Sequence, residues 1–403
     1  MILLLSFFLA GAAHAAGNPG GMSREERFRQ TRELTELGRG MFFDSGLSAS
    51  GKMSCSTCHD PAFAYGPPNG LAVQLGGRDG RQAGRRAVPS LRYLQAIPQF
   101  TEHFFDSDDH GDGSVDNGPT GGLTWDGRVD RARDQARMPL MSPYEMANES
   151  PEAVVAHVRK AAYAEDLRRF MGAAAFKDSG AVFETVLEAL EAFEQDYREF
   201  YPYSSKFDAF LDGKAALNEQ EQRGLQLFSD PAKGNCAQCH TATRGTNGTP
   251  PQFTDYGLIA LGVPRNREIP ANSDPGYYDL GMCGPERRDL RDRGEYCGRF
   301  MTPSLRNVAT RRAFFHNGVA HTLKEAVEFY AERDSKPEKW YPPGRKFDDL
   351  PAAYHANVET DAPFGPKAAL SPEEVRDVVA FLETLTDGWQ RAAPKAESAV
   401  PRI

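Results

Sequence analysis

Cys55-Ser56-Thr57-Cys58-His59 and Cys236-Ala237-Gln238-Cys239-His240 are two copies of CxxCH, and few chains can accommodate both. In this pattern two thiols add to the vinyl groups of a haem while the next histidine reaches the iron. The 403 residues hold only six cysteines and nine histidines, so two such clusters do not arise from composition. A structural zinc site would want four ligands, with a second CxxC or an HxxxH nearby, and neither half offers one beside its motif. A thioredoxin-like redox pair gives no reason for histidine directly after the second cysteine. The motifs therefore predict a dihaem c-type cytochrome with two haem c groups, attached through Cys55, Cys58, Cys236 and Cys239 and ligated by His59 and His240.

A chain this long exceeds one ordinary core, and the motifs lie in different halves, so two domains are expected. The apolar fraction of 40% and charged fraction of 26% are ordinary for a soluble globular protein. No apolar stretch is long enough for an integral membrane span, and a net charge of -9 argues against a nucleic-acid partner. Residues 1–16 read as a signal peptide: an apolar run to Ala12, then Ala13-His14-Ala15 as a small-x-small cleavage site, although no Lys or Arg precedes Arg24. Export to the periplasm agrees with where haem is covalently attached in bacteria. In that oxidising compartment the two leftover cysteines, Cys283 and Cys297, are more simply a disulfide than a metal site. The bridge would hold the polar loop 284–296 near the second domain's core and contribute ~3 kcal/mol through the unfolded state.

Helix signals recur and strand-like alternation is nearly absent, which predicts an all-α fold. Ser23 with Glu26, Ser150-Pro151, Thr322 with Glu325, and Ser371-Pro372 with Glu374 each read as a helix start. The last helix carries Val375, Val378, Val379, Leu382 and Leu385 on one face and is expected to stop at Gly388. A weak repeat precedes the two motifs: Gly38-x-x-Met41-Phe42 and Gly224-x-x-Leu227-Phe228. With a fresh helix starting at Asn218, the boundary is placed within 201–214. That gives haem domains at 23–210 and 215–390 and a flexible tail at 391–403. The loops 66–86 and 105–122 are too long for plain connectors. The acidic run Asp106, Asp108, Asp109 and Asp112 fits a calcium loop only loosely, because His110 and Asn117 stand where Asp/Asn and Glu are wanted, and it reads better as a solvated loop.

The first motif with its surroundings runs Leu37-Gly38-Arg39-Gly40-Met41-Phe42-Phe43-Asp44, then Met53-Ser54 and CxxCH, then Asp60-Pro61. Further on come Trp125-Asp126-Gly127-Arg128, Ser142-Pro143-Tyr144-Glu145-Met146, Pro303-Ser304-Leu305-Arg306-Asn307-Val308 and Phe315-His316-Asn317-Gly318. Together these resemble the bacterial dihaem cytochrome c peroxidase family, which includes the MauG branch, over nearly the whole mature chain. The resemblance implies two cytochrome c-like domains, with hydrogen peroxide reacting at the N-terminal haem and electrons passing through the C-terminal one. It assigns Trp125 as the relay between haems and Glu145 as the carboxylate that moves a proton during O–O cleavage. Gln135 and Pro139 match neighbouring positions of the same pocket. From the residues alone, Trp125 reads equally well as core and Glu145 as a solvated charge before a helix.

Relatives that rest inactive hold the peroxidatic iron with a second histidine after CxxCH, yet 60–102 contains none. His103 and His110 follow Val88-Pro89-Ser90-Leu91, too late to replace it. The first haem is therefore expected to be open, held by His59 alone. At the second haem, Leu323, Ala326, Val327 and Tyr330 share one helical face. The resemblance implies Tyr330 as second axial ligand, as in the MauG branch, where typical peroxidases carry Met. Read alone, Tyr330 is core, and Met301 and Met282 compete as ligands. An anionic oxygen ligand would lower that haem's potential. His316 matches a residue the family shares and His321 flanks it; neither is expected on iron, His316 serving instead as a hydrogen-bond partner near the haem. The family's calcium ligands correspond to Ala87, Arg311 and Ala313, which speaks against calcium. The expected reductant is a small redox protein (cytochrome c or cupredoxin) or a protein substrate. The alternative is a non-catalytic dihaem electron-transfer cytochrome.

Overall fold

The computed structural model describes residues 22–105 and 115–390; residues 1–21, 106–114 and 391–403 lie outside it. The expected signal peptide, the acidic run with His110, and the C-terminal tail fall in those outer segments. Up to residue 200 the helices are α1 (Arg24–Phe42), the four-residue α2 (Cys55–Cys58), α3 (Ala132–Met141), α4 (Pro151–Val158), α5 (Ala164–Met171), α6 (Ser179–Glu194) and the short α7 (Tyr197–Phe200). Beyond it come α8 (Lys206–Leu211), α9 (Glu219–Ser229), α10 (Leu323–Glu332), α11 (Pro337–Trp340) and α12 (Pro372–Glu383). Strand structure among the described residues is confined to two antiparallel two-residue pairs. These are β1 (Leu75–Gly76) with β2 (Gln82–Ala83), and β3 (Leu258–Ile259) with β4 (Phe300–Met301). No described helix is long and apolar enough to cross a membrane.

The helix starts follow local capping chemistry. Ser23, Ser150, Asn218, Thr322 and Ser371 each accept a hydrogen bond from a backbone N–H of the first turn. Glu374 and Glu221 return the bond to their cap residues, while Glu325 instead accepts from His321 N. The end of α12 departs from the sequence reading. The helix stops at Glu383, before Gly388, because the Thr384 hydroxyl donates to the Phe381 carbonyl and the chain turns away. That turn delivers Asp387, which accepts from Arg92, Tyr93, Ser204 and Asn307.

Two hydrophobic cores repeat one design. In the first, Leu37, Met41 and Phe42 of α1 pack against Val182, Phe183, Val186, Leu190 and Phe193 of α6. In the second, Phe228 of α9 meets Val375, Val378, Phe381 and Leu382 of α12, with Phe207 and Phe253 alongside. Each crossing closes on a glycine. A Cβ on Gly38 would sit 1.8 Å from the Ala189 carbonyl oxygen and 2.9 Å from Phe193 Cβ. One on Gly224 would sit 2.0 Å from the Asp377 oxygen and 2.8 Å from Phe381 Cβ. The repeat seen in sequence is thus a pair of equivalent helix crossings in which any side chain would hold the backbones apart. The passage between the cores runs from Phe200 to Phe207.

Cys283 and Cys297 are disulfide-bonded. The loop they close does not rest on the second core. Its Leu290 and Tyr296 join Leu258, Met282 and Met301 in a separate small core that also takes Ile97 and Phe100 from the N-terminal half. Met282, offered above as a competing ligand, is fully buried in this cluster, away from the cavity described next.

Candidate functional site

One continuous cavity of about 460 Å³ runs between the two cores. It is lined by Cys58, His59, Trp125, Gln135, Pro139 and Glu145 on one side, and by Cys236, Cys239, His240 and Tyr330 on the other. Cys55 lies one turn back on α2, packed against the first core. Burial pushes all four thiols up to about 12, so they stand as neutral thiols.

Both histidines are held by the same clip. His59 Nδ1 lies 3.0 Å from the Tyr65 carbonyl oxygen, and His240 Nδ1 lies 2.8 Å from that of Phe253. A carbonyl can only accept, so Nδ1 carries the hydrogen and the Nε2 lone pair is left free. Burial lowers both imidazoles to about 4, which keeps them neutral. Tyr65 and Phe253 both sit at positive φ, 56° and 54°, a strained backbone for bulky residues. The strain is held by matching hydroxyls: Ser90 donates to Ala64 O and Ser304 to Gln252 O, each at 2.6 Å. The two serines belong to Pro89-Ser90-Leu91-Arg92 and Pro303-Ser304-Leu305-Arg306. The tetrapeptide is an exact duplication, a signal that stands in the sequence at both places and becomes a pair only through its matched role in the structure.

On the His59 side, α3 presents Gln135, Met138, Pro139 and then Ser142 at i, i+3, i+4 and i+7, a single helical face, to the cavity. Glu145 does not precede a helix; it sits in the tight turn after α3. That turn is pinned by Met146 N to Pro139 O, Ala147 N to Ser142 O and Gly77 N to Glu145 O. Gly76 fits against it because a Cβ there would lie 2.2 Å from the Tyr144 oxygen. The Glu145 side chain lines the cavity and is exposed to it, with Ser142 and Arg128 close by. Burial raises its pKa, against the Ser142 hydrogen bond and the Arg128 charge.

Trp125 lines the cavity. Its Nε1–H donates to Ala87 O and its carbonyl accepts from Met301 N, both at 2.8 Å. The next residue, Asp126, is fully buried and accepts from Arg86, Arg128 and Thr124. Burial alone would raise its pKa, but Arg86 and Arg128 override that and hold it below the usual range. Those ion pairs fix the Trp125-Asp126-Gly127-Arg128 turn and with it the indole plane. Met301 lines the same wall.

On the His240 side, Tyr330 emerges from α10 between Phe315 and Phe364. Burial raises its pKa, and among the described residues its hydroxyl has no hydrogen bond within the chain. His316 stacks on Phe300 at 3.6 Å, and its Nε2 is buried without a partner. His103 is exposed and bonded to Asp116, away from the cavity, and His321 faces Glu268. Arg311 and Ala313, compared above with calcium ligands, contact each other through Arg311 Nε and the Ala313 oxygen.

The cavity suits two haems. It places free thiols and an imidazole lone pair at each end, and it contains buried polar atoms with no partner in the chain: His316 Nε2, Arg311 Nη2, Thr302 Oγ1 and Tyr256 OH.

The di-haem cytochrome c peroxidase family profile matches residues 32–216. The chain is 34% identical over 377 residues to the methylamine utilization protein MauG of Paracoccus denitrificans, covering 88% of each. This chain belongs to the dihaem cytochrome c peroxidase/MauG family. It is also 28% identical to the cytochrome c551 peroxidase of Nitrosomonas europaea, over 74% of this chain and 73% of the relative. Its fold matches the crystal structure of the dihaem peroxidase BthA from Burkholderia thailandensis, with a TM-score of 0.77 at 38% identity, covering 91% and 90%. Membership makes the protein an oxidoreductase of the dihaem peroxidase kind, implies two c-type haems, and implies hydrogen peroxide as oxidant.

Proposed function

We propose that peroxide reacts at the haem bound to His59, that the haem held by His240 and Tyr330 supplies or stores electrons, and that the chain is of the MauG-like branch. The observation that carries this is the make-up of the cavity wall at His59. Glu145, Gln135 and Pro139 line it, while the cavity's other histidines among the described residues are His240, clipped to Phe253, and His316, stacked on Phe300. The haem, when bound, supplies an iron with an open coordination position and the capacity to hold oxidising equivalents. Glu145 takes the proton of the incoming peroxide on its carboxylate and returns it to the departing oxygen, while Gln135 orients the molecule and Pro139 keeps the wall apolar. Trp125 lies along the route between the two ends. Its N–H, tied to Ala87 O, fixes the ring without offering a site for another proton.

Tyr330 as an anionic oxygen ligand would favour oxidised iron at the second site, which suits an enzyme that oxidises a partner protein or side chain. A small cytochrome or cupredoxin is the other source of electrons. The division into haem domains 23–210 and 215–390 belongs to this reading, as does export to the periplasm, which the Cys283–Cys297 disulfide favours.

The test is low-temperature EPR of the ferric holoprotein before and after one equivalent of peroxide. One high-spin and one low-spin signal, both lost with peroxide, is the expected result. Two low-spin signals indifferent to peroxide would refute the open His59 site and favour a plain electron carrier.

A further inference from the structure

Six arginines line the cavity, and five of them are committed to carboxylates. Arg85 pairs with Glu286, Arg86 with Asp126 and Asp279, Arg92 with Asp387, Arg128 with Asp126, and Arg306 with Asp208. Arg311 is the exception among the described residues. Its Nε donates to the Ala313 carbonyl at 3.3 Å, and its Nη2 is buried with no partner at all. Burial depresses its pKa to about 10, with no carboxylate nearby to oppose it. A guanidinium cannot shed its charge at neutral pH, and a buried cation without a counter-charge is strongly destabilising. The counter-charge must therefore come from outside the chain.

Its position narrows the choice. Arg311 follows the one-turn helix Val308–Thr310 of the C-terminal half, yet it reaches the His59 side. Its charge is felt at the His59 imidazole, and its Nη1 lies beside Gly66 in the loop that holds Tyr65. Thr310 and Arg312 flank it and also touch that loop, Thr310 at the Phe63 carbonyl and Arg312 over the Phe63 ring. An anion here would lie inside the chamber of the first haem, and a haem c carries two propionate carboxylates.

We propose that Arg311 binds a propionate of the His59-bound haem, so that the C-terminal half supplies the counter-charge for the N-terminal cofactor. The carboxylate geometry suits a forked guanidinium, whose Nη2 is free to donate. This rests on the haem reading above. Arg311 acts through the haem's charge and is a positioning residue, not a catalytic one. With the pair formed, the propionate is neutralised close to the iron; without it, an uncompensated negative charge stabilises the ferric state.

The experiment is an EPR-monitored redox titration of holoprotein carrying Arg311→Gln, following each ferric signal separately, with haem content measured first by its pyridine haemochrome. The expected result is two haems per chain, with the first haem's ferric/ferrous equilibrium moved about tenfold toward ferric, about 59 mV lower, and the second unchanged. An unchanged first-haem potential, or equal shifts in both, overturns the proposal. Should Arg311→Gln fail to mature, holoprotein carrying Glu145→Gln decides, since that variant removes the pocket's own titrating carboxyl. A paired propionate stays ionised, so the first haem's potential should be flat from pH 5.5 to 8, and a proton-linked slope there overturns the proposal. A wild-type chain without two haems would sink the cofactor reading and this proposal together, and haem content distinguishes that failure from one confined to Arg311.

Discussion

Replacing Glu194 with Gln should stabilise the folded chain at alkaline pH and leave it unchanged at acid pH. Glu194 ends α6, and its Oε2 is buried without a partner, beside a small cavity it shares with Gln95, Asp130, Arg131 and Glu191. The one cation there, Arg131, is taken up by Glu191 at 2.9 Å. Burial, reinforced by the Glu191 charge, raises the Glu194 carboxyl from 4.5 to about 8. Below pH 4.5 both folded and unfolded chains hold this proton and stability is unaffected. Between 4.5 and 8 the unfolded chain releases it while the folded chain keeps it, so stability falls as pH rises; above 8 the loss is complete. At about 1.4 kcal/mol per pH unit, that interval sets a ceiling of about 5 kcal/mol. Urea unfolding of the holoprotein at pH 4.5 and pH 9 should show Glu194→Gln neutral within about 1 kcal/mol at the lower pH and stabilising by several kcal/mol at the higher. Equal effects at both pH values, or destabilisation at pH 9, would refute the reasoning, because either would mean that the native carboxylate has a partner.

Glu145→Gln should abolish peroxide turnover, measured by stopped-flow, with haem content intact; unchanged turnover would remove Glu145 from the chemistry. Because burial raises the Glu145 pKa, the acid limb of the wild-type peroxide reaction should lie above the usual glutamate range, and the variant should lack it. Tyr330→Met should raise the second haem's potential and give a His/Met spectrum, whereas an unmoved spectrum would leave Tyr330 as core. Gly224→Ala should destabilise by roughly 2–4 kcal/mol in thermal or urea unfolding, since its Cβ would fall 2.0 Å from the Asp377 oxygen. Removing the Cys283–Cys297 bridge by a double Ser substitution should cost about 3 kcal/mol and loosen the loop against Ile97 and Phe100 before either haem core.

What could be read from the sequence was local. The CxxCH pairs, the cap residues Ser23, Ser150, Asn218, Thr322 and Ser371, and the two-cysteine loop each declare themselves within a few residues. The Gly38 and Gly224 repeat was visible, but its meaning was not, because the partner carbonyl of Ala189 lies some 150 residues away on α6. The end of α12 was misjudged for a related reason: a threonine side chain bonding backward ended the helix before the glycine was reached. The seat of loop 284–296 depended on Ile97 and Phe100, which no short-range pattern connects to it. The isolation of Arg311 is likewise invisible in sequence, since a missing partner shows only once the others have paired.

The matched clips at Tyr65 and Phe253 turn the chain into its own control. Each gives its histidine the same tautomer, a carbonyl acceptor at nearly the same distance, and a serine-locked backbone in the same unusual conformation. Whatever electron density the lower face of the cofactor receives through imidazole is therefore nearly equal at the two ends. Any difference between the haems, in what they bind or how readily they give up electrons, has to be written on the opposite face and in the surrounding charges. A designer wishing to exchange the two sites' roles could leave residues 59 and 240 alone and work only above them.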